Sequence, residues 1–174
     1  MFRIQNVRAL GTRLVADRSI GKGTLIHTIQ PTNILESATY QSVQVETNRH
    51  IIDDGMIIYL NHSCWPSTSI DTAVGAVNAA RDIEAGEELS FFYPTTEWIM
   101  DRPFVCLCGA QQCVRVVAGA RFLPVDTLAR YRLSGHILKS IRDSLTHRPS
   151  TPSEHQNIYL SDMRPETGGL GASG

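Results

Sequence analysis

The 174-residue chain has no apolar run approaching the roughly 20 residues that a bilayer crossing requires, so no membrane span is expected. It also lacks a dominant charge. The formal net charge is −1, which leaves no generic basic surface and argues against direct nucleic-acid binding. The opening stretch MFRIQNVRALG has no apolar core segment, so no secretory signal is expected and the setting is read as reducing and intracellular, cytoplasmic or nuclear. No internal repeat is present. The apolar content of 42% points to one globular domain with a real core. None of these features bears on oligomeric state.

Four cysteines are present, and their placement is uneven. Cys64 lies in Asn61-His62-Ser63-Cys64-Trp65-Pro66, and Cys106, Cys108 and Cys113 lie in CLCGAQQC. Cys106 and Cys108 are too close to bridge each other comfortably, whereas a Cys-x-Cys turn can aim two thiolates at one ion. The set Cys64, Cys106, Cys108 and Cys113 fits a tetrahedral zinc site better than disulfides. Four thiolates leave no open position for water, so such an ion is structural. The alternative is scattered buried thiols acting as small hydrophobes.

Residues 2–60 read as short strands broken by turns. Strand candidates are 13–16, 24–29 and 40–45, the last with Val43 and Val45 on one face. Residues 51–52 and 56–60 flank Asp53-Asp54-Gly55 as a candidate hairpin. Further strands are expected at 72–79 and 88–93. After Arg121 the pattern turns helical. A short helix is expected at 125–133, and a second at 136–145 with Ile137, Leu138, Ile141 and Leu145 on one stripe. From Arg148 the chain is rich in Ser, Pro, Thr and Gly, the composition of a disordered or strap-like tail.

Asn61-His62-Ser63-Cys64-x-Pro66, Gly86-Glu87-Glu88-Leu89-Ser90-x-x-Tyr93 and Cys106-x-Cys108-x4-Cys113 occur in one order on a strand-rich chain. This combination closely resembles the SET-domain protein methyltransferases with a post-SET zinc segment, over roughly residues 7–120. The turns Ala16 to Gly23 and Ala80 to Leu89 match as well. Phe92-Tyr93-Pro94-Thr95-Thr96-Glu97-Trp98, followed by Pro103-Phe104, resembles a compact, mostly microbial subgroup.

The resemblance implies a mainly β fold, with short strands in several small sheets, a post-SET zinc segment and C-terminal helices. It divides the chain into a SET-like domain at 1–103, a zinc segment at 104–120, a helical extension at 121–147 and a tail at 148–174. It implies S-adenosyl-L-methionine as cofactor and a protein lysine or small-molecule amine as substrate. Cofactor-binding positions are Gly11, Thr12, Arg13, Asn61, His62 and Tyr93; catalytic positions are Tyr93 and His62. Taken singly, Asn61 and His62 are equally turn residues, Tyr93 a core tyrosine closing a strand, and Trp65 and Trp98 packing or pocket aromatics.

Three positions depart from the family pattern. The early strand usually opens Gly-x-Gly but here reads Gly11-Thr12-Arg13, which puts bulk and a cation near the cofactor position. Ser67 replaces an asparagine, and Val114-Arg115 replaces Leu-Gly. Ser67 is a mild change, whereas Arg13 and Arg115 motivate a second reading: a SET-like enzyme of natural-product biosynthesis that catalyses a cyclisation or isomerisation without methyl transfer.

Overall fold

The computed structural model describes residues 1–7, 11–53 and 55–146. The chain divides into two compact units, Met1–Arg142 and Asp143–Gly174. Of the second unit, residues 143–146 are described. The tail expected at 148–174 lies outside the described residues.

In chain order the strands are β1 (Phe2–Val7), β2 (Gly11–Ala16), β3 (Leu25–Thr28), β4 (Asn33–Leu35), β5 (Val43–Glu46) and β6 (Arg49–Ile52). They continue with β7 (Asn61–His62), β8 (Thr68–Asp71), β9 (Ala76–Ala79), β10 (Glu88–Phe91), β11 (Phe104–Val105) and β12 (Val116–Val117). Two α-helices follow, α1 (Val125–Leu128) and α2 (Gly135–Thr146). The fold is mainly β, built from several small sheets.

The sheet that positions the site has the order β1-β2-β10-β7. β1 and β2 are antiparallel from Phe2↔Ala16 to Val7↔Gly11, and β10 joins β2 antiparallel with Leu89 opposite Leu14. β7 then pairs β10 in parallel, with Ser90 opposite Asn61 and Phe91 opposite His62. Leu14, Val15 and Ala16 are all buried, as expected where a sheet is covered on both faces. The other sheets are β3-β9-β8, β4-β6-β5 and the pair β11-β12. The main core gathers Leu14, Met56, Ile83 and Leu89, and a second cluster gathers Cys64, Phe92, Cys106, Val117, Leu128 and Ile137. Burying such side chains stabilises by about 1.5–3 kcal/mol each.

Five local expectations are corrected. Residues 56–60 do not form the second arm of a hairpin. They hold a 3-10 turn, Ile57–Tyr59, because Asp53 Oδ1 accepts the backbone N–H groups of Gly55 at 2.9 Å and Met56 at 3.1 Å. Of the run 72–79, residues 72–75 form the turn and Ala76–Ala79 the second strand of a hairpin whose first strand, Thr68–Asp71, carries too little apolar character to stand out. Strand β5 begins at Val43, and its register shifts between Gln44 and Glu46, so Val43 and Val45 do not share a simple alternating face.

The helix expected at 125–133 stops at Leu128, with Tyr131 drawn away to other partners. In α2 the apolar stripe is narrower than expected. Ile137 is buried and Ile141 packs against the second cluster, whereas Leu138 and Leu145 are 50% and 67% exposed. Among the described residues no helix is long and apolar enough to cross a membrane.

Candidate active site and cysteine centre

Parallel pairing with β10 sets Asn61 and His62 beside the strand that leads into Tyr93. The Asn61 side-chain amide donates to Thr12 O at 3.1 Å and to Glu88 Oε1 at 2.9 Å. One side chain therefore ties β7 to both β2 and β10, and brings Gly11-Thr12-Arg13 next to Asn61-His62. Gly11 has φ of 83°, a conformation that glycine adopts without steric cost. Arg13 Nε donates to Gln5 Oε1 at 3.0 Å, and its guanidinium lies 3.6 Å from Glu88 Oε2. Glu88 thus faces both segments, a role its place in Gly-Glu-Glu-Leu-Ser does not reveal.

Tyr93 follows β10 at the start of a second 3-10 turn, Tyr93–Thr95. Its hydroxyl donates to Leu60 O at 2.9 Å, and its ring packs edge-on to His62 and Phe104. Burial, reinforced by the charges of Glu97 and Glu88, pushes the phenol above its ordinary pKa, so it stays a neutral donor. A cavity of about 300 Å³ opens beside it, lined by Leu60, Phe91, Tyr93, Glu97, Arg102 and Phe104 among others.

Glu97 is buried within that wall. Its Oε1 accepts the Gln44 N–H at 2.8 Å and the Thr96 hydroxyl at 3.1 Å. Burial nevertheless raises its carboxyl to about 7.

His62 sits between Tyr93 and the cysteines. The Tyr93 backbone N–H donates to His62 Nδ1 at 3.3 Å, which leaves Nε2–H to donate to Cys64 Sγ at 3.3 Å. Burial lowers the imidazole to about 4, so the ring is neutral. Both nitrogens are engaged inside the protein.

The four cysteine sulfurs lie within 4.8 Å of one another, and Cys64 Sγ and Cys106 Sγ are 3.9 Å apart. A tetrahedral zinc with Zn–S near 2.3 Å has sulfurs about 3.8 Å apart, so the donor set fits. The hairpin β11-β12 carries three of the cysteines, with Cys106 N–H donating to Arg115 O at 2.7 Å. Burial opposes ionisation of Cys108, but backbone hydrogen bonds from Ala110 and Cys64 bring its thiol down to about 7.

Arg115, at the position where the family pattern has glycine, has φ of 67°. Val116 N–H donates to Val114 O around it at 2.8 Å, closing a tight turn. Ser67 is fully buried; its hydroxyl donates to Glu88 O and accepts from Ser90 N–H, both at 2.9 Å, stitching the turn to β10. Gln112 and Tyr131, both missed in the sequence, donate to Cys64 O at 3.0 Å and 2.9 Å. No local signal marks them, because their partner is a backbone carbonyl 48 and 67 residues away.

Comparison with known proteins now decides the family. The SET domain profile matches residues 11–94. A methyltransferase of Aspergillus flavus, flvH, is 38% identical over 126 residues, covering 70% of this chain and 68% of its own. The chain belongs to the SET-domain methyltransferase family.

The histone-lysine N-methyltransferase, H3 lysine-36 specific, of Aspergillus oryzae is 39% identical over 67 residues. That stretch is 35% of this chain and 7% of the much longer relative. Among solved structures, KRYPTONITE in complex with mCHG DNA and SAH aligns with a TM-score of 0.48 and 18% identity, over 66% of this chain and 28% of that one. The SET match contains Asn61, His62 and Tyr93, and it ends before Cys106.

Proposed function

We propose that this SET-domain chain transfers a methyl group from S-adenosyl-L-methionine to an amine, a lysine side chain or a small-molecule amine. The observation that carries the proposal is the neutral Tyr93 hydroxyl, anchored to Leu60 O at 2.9 Å on the wall of a cavity of about 300 Å³. The cofactor, when bound, supplies an electrophilic methyl on a sulfonium. The chain's part is to hold a neutral amine in line and exclude water.

The residues present fit that cofactor. Asn61 locks the Thr12 carbonyl against β7, and Gly11 leaves open space where a side chain would intrude. Arg13, the departure that motivated a reading without methyl transfer, is held by Gln5 and Glu88. Its charge is compensated, and nothing in its placement favours cyclisation or isomerisation over methyl transfer. Tyr93 is the group that touches the reacting amine. His62 acts as a positioning residue, since both ring nitrogens are engaged within the protein.

Cys64, Cys106, Cys108 and Cys113 would hold a structural zinc, forming a post-SET segment of the compact microbial type. The division into 1–103, 104–120 and 121–147 belongs to the same reading. It is supported by the pairing of β11 with β12 around the cysteines and by the helices that follow.

Titration calorimetry with S-adenosyl-L-methionine, combined with transfer of labelled methyl to amine substrates, tests the reading. Tyr93→Phe should lower turnover by about a hundredfold with cofactor affinity unchanged, the scale seen for a single oriented donor. No binding of the cofactor at millimolar concentration would defeat the proposal.

A further inference from the structure

A cavity of about 750 Å³ lies away from the site above. It is bounded by the edge of β8 and β9, by Trp65 after the Cys64 turn, and by residues 130–132 beyond α1. None of Gly11, Thr12, Arg13, Asn61, His62 or Tyr93 lines it.

Its walls combine two kinds of group. Trp65 offers an indole that is 62% exposed, and Tyr131 is stacked on Phe92 at 3.9 Å and 13°. Four cations also line it, Lys22, Arg81, Arg130 and Arg132, and no acidic residue does. Arg132 is balanced by Asp71 at 2.6 Å and Arg81 by Glu87. Lys22 and Arg130 have no ion-pair partner among the described residues, and Arg81 Nε is buried without a hydrogen-bond partner there. Uncompensated positive charge repels an amine or a sulfonium and attracts an anion. The volume is that of a small-molecule site.

We propose that this cavity binds a small organic anion with a flat apolar body, such as an aromatic carboxylate. The body lies against Trp65 and Tyr131, and the carboxylate faces Lys22 and Arg130. Because Tyr131 and Gln112 also hold Cys64 O, and Phe92 precedes Tyr93, the ligand touches the supports of the active site without entering it. The assignment does not depend on methyl transfer.

The probe is naphthoate, titrated into the full chain by calorimetry and by quenching of tryptophan fluorescence, with naphthalene carboxamide as the neutral counterpart. Naphthoate should bind about tenfold more tightly than the carboxamide, and Arg130→Glu and Lys22→Glu should each weaken it by about tenfold. Both residues are exposed, so the fold is retained. Trp65→Phe should remove most of the quenching, and Arg13→Ala should leave binding unchanged. The proposal is overturned by no naphthoate binding at millimolar concentration, or by equal binding of the carboxamide. It is overturned equally by affinity that Arg130→Glu leaves intact or that Arg13→Ala abolishes. Binding of polyglutamate in place of naphthoate would make the cavity a peptide site and overturn it as well.

Discussion

The Asn61 side-chain amide is 2.9 Å from Glu88 Oε1, and the other carboxylate oxygen of Glu88 faces Arg13 at 3.6 Å. One acidic side chain therefore joins the two segments assigned to cofactor binding. Glu88→Ala removes both interactions and should weaken S-adenosyl-L-methionine binding about tenfold by calorimetry, as expected when a part-buried polar network is left half satisfied. Arg13→Ala should change affinity less than about threefold, because a partly exposed ion pair contributes little. Undiminished affinity in Glu88→Ala would show that Asn61 needs no carboxylate to stay in place.

Removing one thiol tests the cysteine centre. Cys108 is exposed, so Cys108→Ser disturbs little packing, yet it should abolish stoichiometric zinc and lower stability by about 3 kcal/mol, or roughly 10 °C in Tm. Zinc content and melting are measured on the same sample. Full metal with unchanged melting would remove the ion from the account.

Glu97 makes stability depend on pH. Its carboxyl is raised to about 7 in the folded chain, above the value of 4.5 it has when solvated. The protonated form is therefore favoured by folding. That stability is fully present below about 4.5 and is lost as pH rises through about 7, by roughly 3 kcal/mol in all. Glu97→Gln keeps an acceptor for Gln44 N–H and Thr96, and should flatten the decline and be the more stable protein at pH above about 7.5 in denaturant titrations. Parallel pH profiles for the two proteins would contradict the assignment.

Two backbone positions should respond in opposite directions. A Cβ on Gly119 would lie 2.5 Å from Trp98 O and 2.9 Å from Ile99 Cα, at φ of 115°, so Gly119→Ala should cost about 3 kcal/mol. Arg115 holds a left-handed conformation on the surface, so Arg115→Gly should leave stability unchanged or raise it by up to about 1 kcal/mol. Thermal melts of both variants decide the point.

The helix α2, the strands β2, β3 and β10, and the cysteine cluster were legible because each rests on signals within a few residues: periodicity, β-branched runs and thiol spacing. The short strand β8 and the turn at residues 57–59 were not. The first has little apolar contrast, and the second forms because the Asp53 carboxylate captures backbone donors that a hairpin would have used.

By itself, the sequence determined the family, the four thiols and the identity of Tyr93, since ordered motifs and metal-ligand spacing are properties of the chain. Only the tertiary structure decided where Arg13 points, that Glu88 bridges β2 and β7, that His62 links Tyr93 to Cys64, and that cations from distant segments share one cavity. Those facts depend on strand register and on side chains meeting across dozens of residues. Each is settled by which donors find acceptors once the core is packed, a competition that no local pattern records.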